Sequence, residues 1–248
     1  NDWYRLRRTL EVAYTVGDNP TEEQIRSLYN GQRMGGLEAL GFDVRCFFLC
    51  PDDRMAHAEV VDVRCEQMLQ KGLLKETTDL WLSGVLLPDG QLSRAIGYRQ
   101  TLDYLQRPDA KMGDIPTFEA YLNDFNTATR RYAKKQMQWF RRDPKFLFVP
   151  ISLSDPDRVD KAAETIANMC LQTRDQFDKE LRVIDNDDDP PLSARTKQIN
   201  EEQGPKMKFY IGGKRHILLP NSSEFNTILE EADACTQRMQ QMQSIHQK

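Results

Sequence analysis

Between Phe125 and Arg142 the sequence carries six cationic side chains, Arg130, Arg131, Lys134, Lys135, Arg141 and Arg142, and no Asp or Glu. Cations at this density suit one task above others, neutralising a polyanion and releasing its counterions. On a helical wheel at about 100° per residue all six fall within an arc of about 140°. Phe118, Tyr121, Leu122, Phe125, Tyr132, Ala133, Trp139 and Phe140 fall on the opposite side. The expectation is a two-sided helix, apolar toward its own protein and cationic toward an outside ligand. Trp139 and Phe140 read as core rather than as base-stacking platforms. The pairs Arg130/Lys134 and Arg131/Lys135 repel at i,i+4 by a few tenths of a kcal/mol each. A solvated basic surface is the plain alternative, and RNA phosphate the sharper one. A membrane-surface helix is weaker, because the apolar side is needed for burial.

Two more clusters mix cations with aromatics. Arg5, Arg7 and Arg8 follow Trp3 and Tyr4, and Arg94 and Arg99 flank Gly97 and Tyr98. Gly97 would let a backbone approach closely, and Tyr98 could stack on a base. The competing readings are helix packing for Gly97 and a core aromatic for Tyr98. Metal chemistry finds little support. The five cysteines form no CxxC pair, the three histidines are far apart, and Asp185–Pro191 (DNDDDPP) reads as a solvated spacer. An odd cysteine count favours a reduced compartment over a disulfide scaffold.

The elements that must position these groups can be read along the chain. Its 248 residues, 39% hydrophobic, can build a real core and allow one or two domains. No apolar run approaches the roughly 18 residues of a membrane span. Residues 1–142 hold 20 basic and 20 acidic groups, so the whole net charge of −4 falls in 143–248. The pattern predicts helices over Asn1–Ala13 and 20–30, a Gly-rich loop over Gly31–Gly41, and a buried strand at Val44–Cys50. A long helix should follow Asp52-Asp53 to about Gln70 and stop at Gly72, with a second running to Leu82. One helix is expected over Arg94–Leu105 despite Gly97. Another should run from Pro116 to Arg142, where Asp143-Pro144 ends it. Phe146–Ile151 reads as a second buried strand and Pro156–Ile184 as one helix. Lys206–Tyr210 and His216–Leu219 read as a hairpin around Gly212-Gly213, and a Gln/Met-rich helix runs from Glu224 to the end.

Four segments in this order resemble the C-terminal half of tRNA dimethylallyltransferases. They are Arg5–Val12 (RLRRTLEV), Arg64-x-x-x-Met68-Leu69-x-x-Gly72, Arg94–Gln100 (RAIGYRQ) and Thr129–Arg141 (TRRYAKKQMQWFR). The likeness covers about residues 1–150 and implies a fold: α/β, predominantly helical, the C-terminal portion of a P-loop NTPase-like domain. It also implies a reaction, transfer of the dimethylallyl group from dimethylallyl diphosphate to N6 of the adenine beside the tRNA anticodon. Magnesium and P-loop amides would hold the diphosphate, and a carboxylate would act as base.

By this resemblance Tyr4, Arg5, Arg7, Arg8, Arg94, Gly97, Tyr98, Arg99, Lys134, Lys135, Gln136, Gln138 and Arg141 match tRNA-touching segments. Arg130 joins them through the cationic face. Arg64 matches an arginine that reaches the leaving diphosphate; its alternative is a surface pair with Asp62 or Glu66. No G-x-x-x-x-G-K-[ST] occurs in the chain, so the P-loop and catalytic Asp are expected upstream of Asn1, and the chain alone is expected to be inactive. A monomer is expected. The parts are 1–150 as the family domain, 151–184 as a helical extension, 185–205 as an acidic linker and 206–248 as hairpin plus helix. A non-catalytic RNA-binding module is the first alternative, and a structural or scaffold protein using the basic helix on a membrane or acidic partner the second.

Overall fold

A computed structural model describes Thr21 and residues 41–107, 111–141, 143–181 and 201–246, with side chains for all of these except 141 and 243–246. The expectations for Tyr4, Arg5, Arg7, Arg8, the first two helices, the acidic linker, the Arg141 side chain and Arg142 lie outside the described residues.

Strand β1 (Cys46–Pro51) and strand β2 (Phe146–Ile151) pair in parallel, from Cys46 opposite Phe146 to Pro51 opposite Ile151. Both are short apolar runs stopped by proline or polar residues, the pattern of strands buried in a parallel sheet. Helix α1 (Arg54–Gln70) starts where Asp53 Oδ1 accepts from the N–H groups of Met55 and Ala56 at 2.7 and 3.1 Å. That cap satisfies two of the orphan donors at a helix start. Gly72, with φ +90°, supplies the left-handed turn into α2 (Leu73–Leu82).

The helix expected over Arg94–Leu105 is broken. A 3₁₀ turn at Leu92–Arg94 precedes α3 (Tyr98–Leu105), and Gly97 at φ +98° starts that helix. The Gln100 side chain accepts from the Gly97 N–H at 3.0 Å, so the local start signal overrides continuous helix. Helix α4 (Ile115–Arg141) runs 27 residues, about 40 Å. Beyond β2, the single helix expected over 156–184 is two, α5 (Arg158–Leu171) and α6 (Arg174–Leu181). Thr173 and Gln176 cap each other reciprocally at 2.9 and 3.3 Å, which ends one helix and begins the next.

The expected hairpin over 206–219 is also corrected. Residues 201–206 are helical, Met207–Phe209 form a 3₁₀ turn, and no strand follows before α7 (Ser223–His246). The amides of 216–218, which a hairpin would need for its ladder, are taken by a carboxylate of α1, as described below. Phe225, Ile228, Ala232, Cys235 and Met239 pack into the main core with Leu69, Leu74, Leu105, Phe118, Leu122 and Phe125. Burying each Leu, Ile, Phe or Met side chain among them stabilises by about 1.5–3 kcal/mol. A smaller cluster of Cys50, Met137 and Phe148, with Phe48, Phe140 and Phe146 against it, joins the sheet to the C-terminal end of α4.

Candidate nucleic-acid interface

Helix α4 changes neighbours along its length, and its buried stripe turns with them. From Phe118 to Phe125 it faces α3 and α7, with Tyr104 stacked on Tyr121 at 4.7 Å and Phe118 edge-on to Phe225 at 5.6 Å. The Thr101 hydroxyl bonds the Tyr121 hydroxyl at 2.8 Å in that core. From Arg130 onward α4 faces α1, the C-terminal segment and the sheet, through Arg130, Ala133, Met137 and Phe140. The stripe shifts by roughly a quarter turn between the two halves.

This shift corrects the wheel at three positions. Tyr132 and Trp139, expected in the core, are 51% and 58% exposed. Arg130, expected on the ligand-facing arc, is turned inward, and its side chain is 19% exposed. Its guanidinium pairs with the fully buried Asp62, donates to the Thr127 hydroxyl at 3.1 Å and lies over the Tyr210 ring at 5.4 Å.

Exposed cations remain on two flanks of α4. On one, Arg131 and Lys135 meet Arg94 and Arg99 across a groove of about 390 Å³, which Tyr132, Asp103 and Asp124 also line. Arg99 reaches Asp103 at 3.8 Å, with both side chains largely exposed, so the groove keeps an excess of positive charge. An ion pair so exposed contributes well under 1 kcal/mol and yields readily to phosphate. On the other flank, Lys134 and Gln138 meet Arg54, His57 and Met207 around a cleft of about 250 Å³. Burial lowers the pKa of His57 below its ordinary 6.5, so the ring is held neutral. Gln136, also exposed, donates from its amide to the Tyr132 hydroxyl at 3.1 Å. Arg94, Arg99, Arg131, Lys134, Lys135 and Gln138 are thus brought together around one helix from three elements.

Gly97 and Tyr98 stand apart from that set. Gly97 is buried, its N–H is held by Gln100, and a side-chain carbon there would meet the Phe125 ring at 3.5 Å. Helix packing is therefore its role here. Tyr98 is half-buried against the core and donates its hydroxyl to Glu76 at 2.5 Å, which raises its pKa.

Arg64 is exposed on α1. Asp62 and Glu66, weighed as its surface partners, are instead fully buried on the other side of that helix. Asp62 also accepts the Tyr210 hydroxyl at 2.6 Å, and burial together with this carboxylate pushes the Tyr210 pKa up. Glu66 accepts the backbone N–H groups of Ile217 and Leu218 at 2.6 and 2.8 Å and that of His216 at 3.1 Å. Sequence reasoning missed both acids as structural. The readable signal was their place on the stripe Ala58, Asp62, Cys65, Glu66, Leu69, where helical spacing puts apolar side chains.

Among the described residues no group of three or more His, Cys, Asp or Glu could hold a metal ion. Nor, among those residues, is any helix long and apolar enough to cross a membrane.

Helices gathered beside a small parallel sheet, with a long basic helix exposing cations on two flanks, define an α/β protein with an exposed cationic face. A family model described as IPP transferase matches residues 1–143, and the chain belongs to that family. It is similar to tRNA dimethylallyltransferase 9 of Arabidopsis thaliana, 31% identical over 244 residues that cover 88% of this chain and 49% of the relative. It is also similar to the tRNA dimethylallyltransferase of Protochlamydia amoebophila, 31% identical over 161 residues, 64% of this chain and 42% of the relative. Likeness to the tRNA dimethylallyltransferase of Chlamydia trachomatis serovar D is 31% over 166 residues, covering 66% and 48%. The chain spans about half the length of the curated relatives it matches.

Proposed function

We propose that this chain is the C-terminal portion of a tRNA dimethylallyltransferase and carries much of its RNA-binding face. The groove between Arg94, Arg99, Arg131 and Lys135 is the observation that supports this best. Three helical elements, the 3₁₀ turn, α3 and α4, present four cations to one concave surface, a spacing suited to the phosphates of an anticodon stem-loop. Exposed Tyr132 at the groove and Trp139 farther along α4 offer faces on which unstacked bases can rest.

The remainder of a P-loop NTPase-like sheet belongs to the other half of the enzyme in this reading. A parallel sheet of two strands is seldom left uncovered, so β1 and β2 are natural neighbours for further strands. The P-loop, the magnesium and the carboxylate that takes the proton from the adenine amine lie there too. During transfer the bond from the allylic carbon to the diphosphate oxygen breaks, and the bond to adenine N6 forms. Arg64, exposed on α1, would receive the charge that gathers on the departing oxygen.

Filter binding to unmodified tRNA across a salt series tests the RNA face. Affinity should fall steeply as salt rises, and salt-independent binding would overturn it. Loss of isopentenyladenosine from cellular tRNA when the gene is removed tests the reaction. Its persistence at normal level would leave a non-catalytic RNA-binding module as the better account.

A further inference from the structure

The two fully buried carboxylates of α1 both hold the C-terminal segment. Asp62 takes the Tyr210 hydroxyl at 2.6 Å as well as the Arg130 guanidinium. One helical turn on, Glu66 gathers the N–H groups of residues 216–218. Between these anchors the strand of chain runs close to α4, and a side-chain carbon at Gly212 would lie 3.0 Å from the Arg130 guanidinium. Leu218, the last of the three residues held by Glu66, is buried in the main core. Residues 210–218 thus form a strap laid along one side of α1 and seated on two charges. A buried carboxylate needs such donors, since leaving it unpaired is strongly unfavourable.

Arg64 lies midway between the two acids in sequence. At about 100° per residue it projects roughly 160° away from each, on the exposed side of the helix. Anything that fixes the roll of α1 at the strap therefore fixes where the Arg64 guanidinium stands. With a helix radius of about 5–6 Å including side chains, a roll of about 20° carries a surface group about 2 Å. Displacements of that size are enough to spoil alignment with a reacting group.

We infer that Asp62, Glu66 and Tyr210 are positioning residues for Arg64, the strap acting as a backstop that sets the rotation of α1. The inference rests on the proposed role of Arg64 at the leaving diphosphate. It adds that the tail beyond the family-matched region takes part in transfer without touching substrate.

The test is single-turnover transfer by the full-length enzyme, using dimethylallyl diphosphate and unmodified tRNA. Tyr210→Phe and Glu66→Gln should each slow transfer by about fivefold or more, with tRNA affinity within about twofold of native. In an Arg64→Ala background the same changes should slow transfer by less than about twofold, because the group they position is gone. A role in stability alone predicts the same slowing in both backgrounds, and that result would overturn the inference. So would rates within about twofold of native for both variants in the native background. If Glu66→Gln fails to fold, Tyr210→Phe decides, since it keeps the ring and removes one hydroxyl. Transfer unimpaired by Arg64→Ala would instead sink the proposed role of Arg64 itself.

Discussion

Arg130 and Arg131 are neighbours in the chain and opposites in environment. Arg130 faces α1 and is closed in by Asp62, Tyr210 and Thr127. Arg131 is exposed at a groove it shares with Arg94, Arg99 and Lys135. One step along a helix turns a side chain by about 100°, enough to separate a group that holds a protein together from one free to hold a ligand. A cluster of like charges is thus a candidate surface only residue by residue. The contacts of each member decide whether its charge is available.

The largest contrast should come from stability. Asp62→Ala strands a mostly buried guanidinium and should cost about 3 kcal/mol in urea unfolding, whereas Arg131→Gln should stay within about 0.5 kcal/mol. Equal costs would erase the distinction between the flanks. Next, changing Arg94, Arg99, Arg131 and Lys135 together to Gln in the full-length enzyme should flatten the slope of log affinity against log salt by about three. The native slope after that change would show that the groove is not where phosphates lie. Gly97→Ala should cost about 1–2 kcal/mol, because φ +98° is strained for any side chain and the Phe125 ring stands close. Were Gly97 a ligand contact alone, melting would not move while RNA binding fell.

The smallest effect should be the pH response of His57. Its folded pKa lies below the ordinary 6.5, so the unfolded chain binds the proton more readily. Stability should be complete above about pH 6.5 and decline as pH drops through the lowered value. His57→Gln should shrink that decline; an unchanged acid limb would assign it to other groups.

Much of the framework was legible because strong local signals mark its edges. Asp53 caps α1, Gly72 turns the chain into α2, and Asp143-Pro144 stops α4, all at positions that the sequence picks out. Both strands stood out as short apolar runs. The breaks at Gly97 and Thr173 were harder, because each start depends on a glutamine side chain three residues on, at Gln100 and Gln176. The strap was not legible. Its amides are satisfied by Glu66, about 150 positions earlier, and no local pattern announces a partner so distant. The exposed cations of the candidate site were readable in composition, whereas Arg130 turns inward and Gly97 and Tyr98 belong to the packing. A single wheel assumes one buried stripe, and α4 has two.

The reach of Glu66 to residues 216–218 also bears on how the polypeptide is made. Until the ribosome has delivered residues 210–246, Glu66 lacks the amides that hold it, Asp62 has Arg130 but not Tyr210, and the apolar stripe of α1 is without its cover from α7. Contacts of such sequence separation form late and slowly. The nascent protein should therefore stay open, and in need of chaperone shelter, until the strap and α7 have emerged.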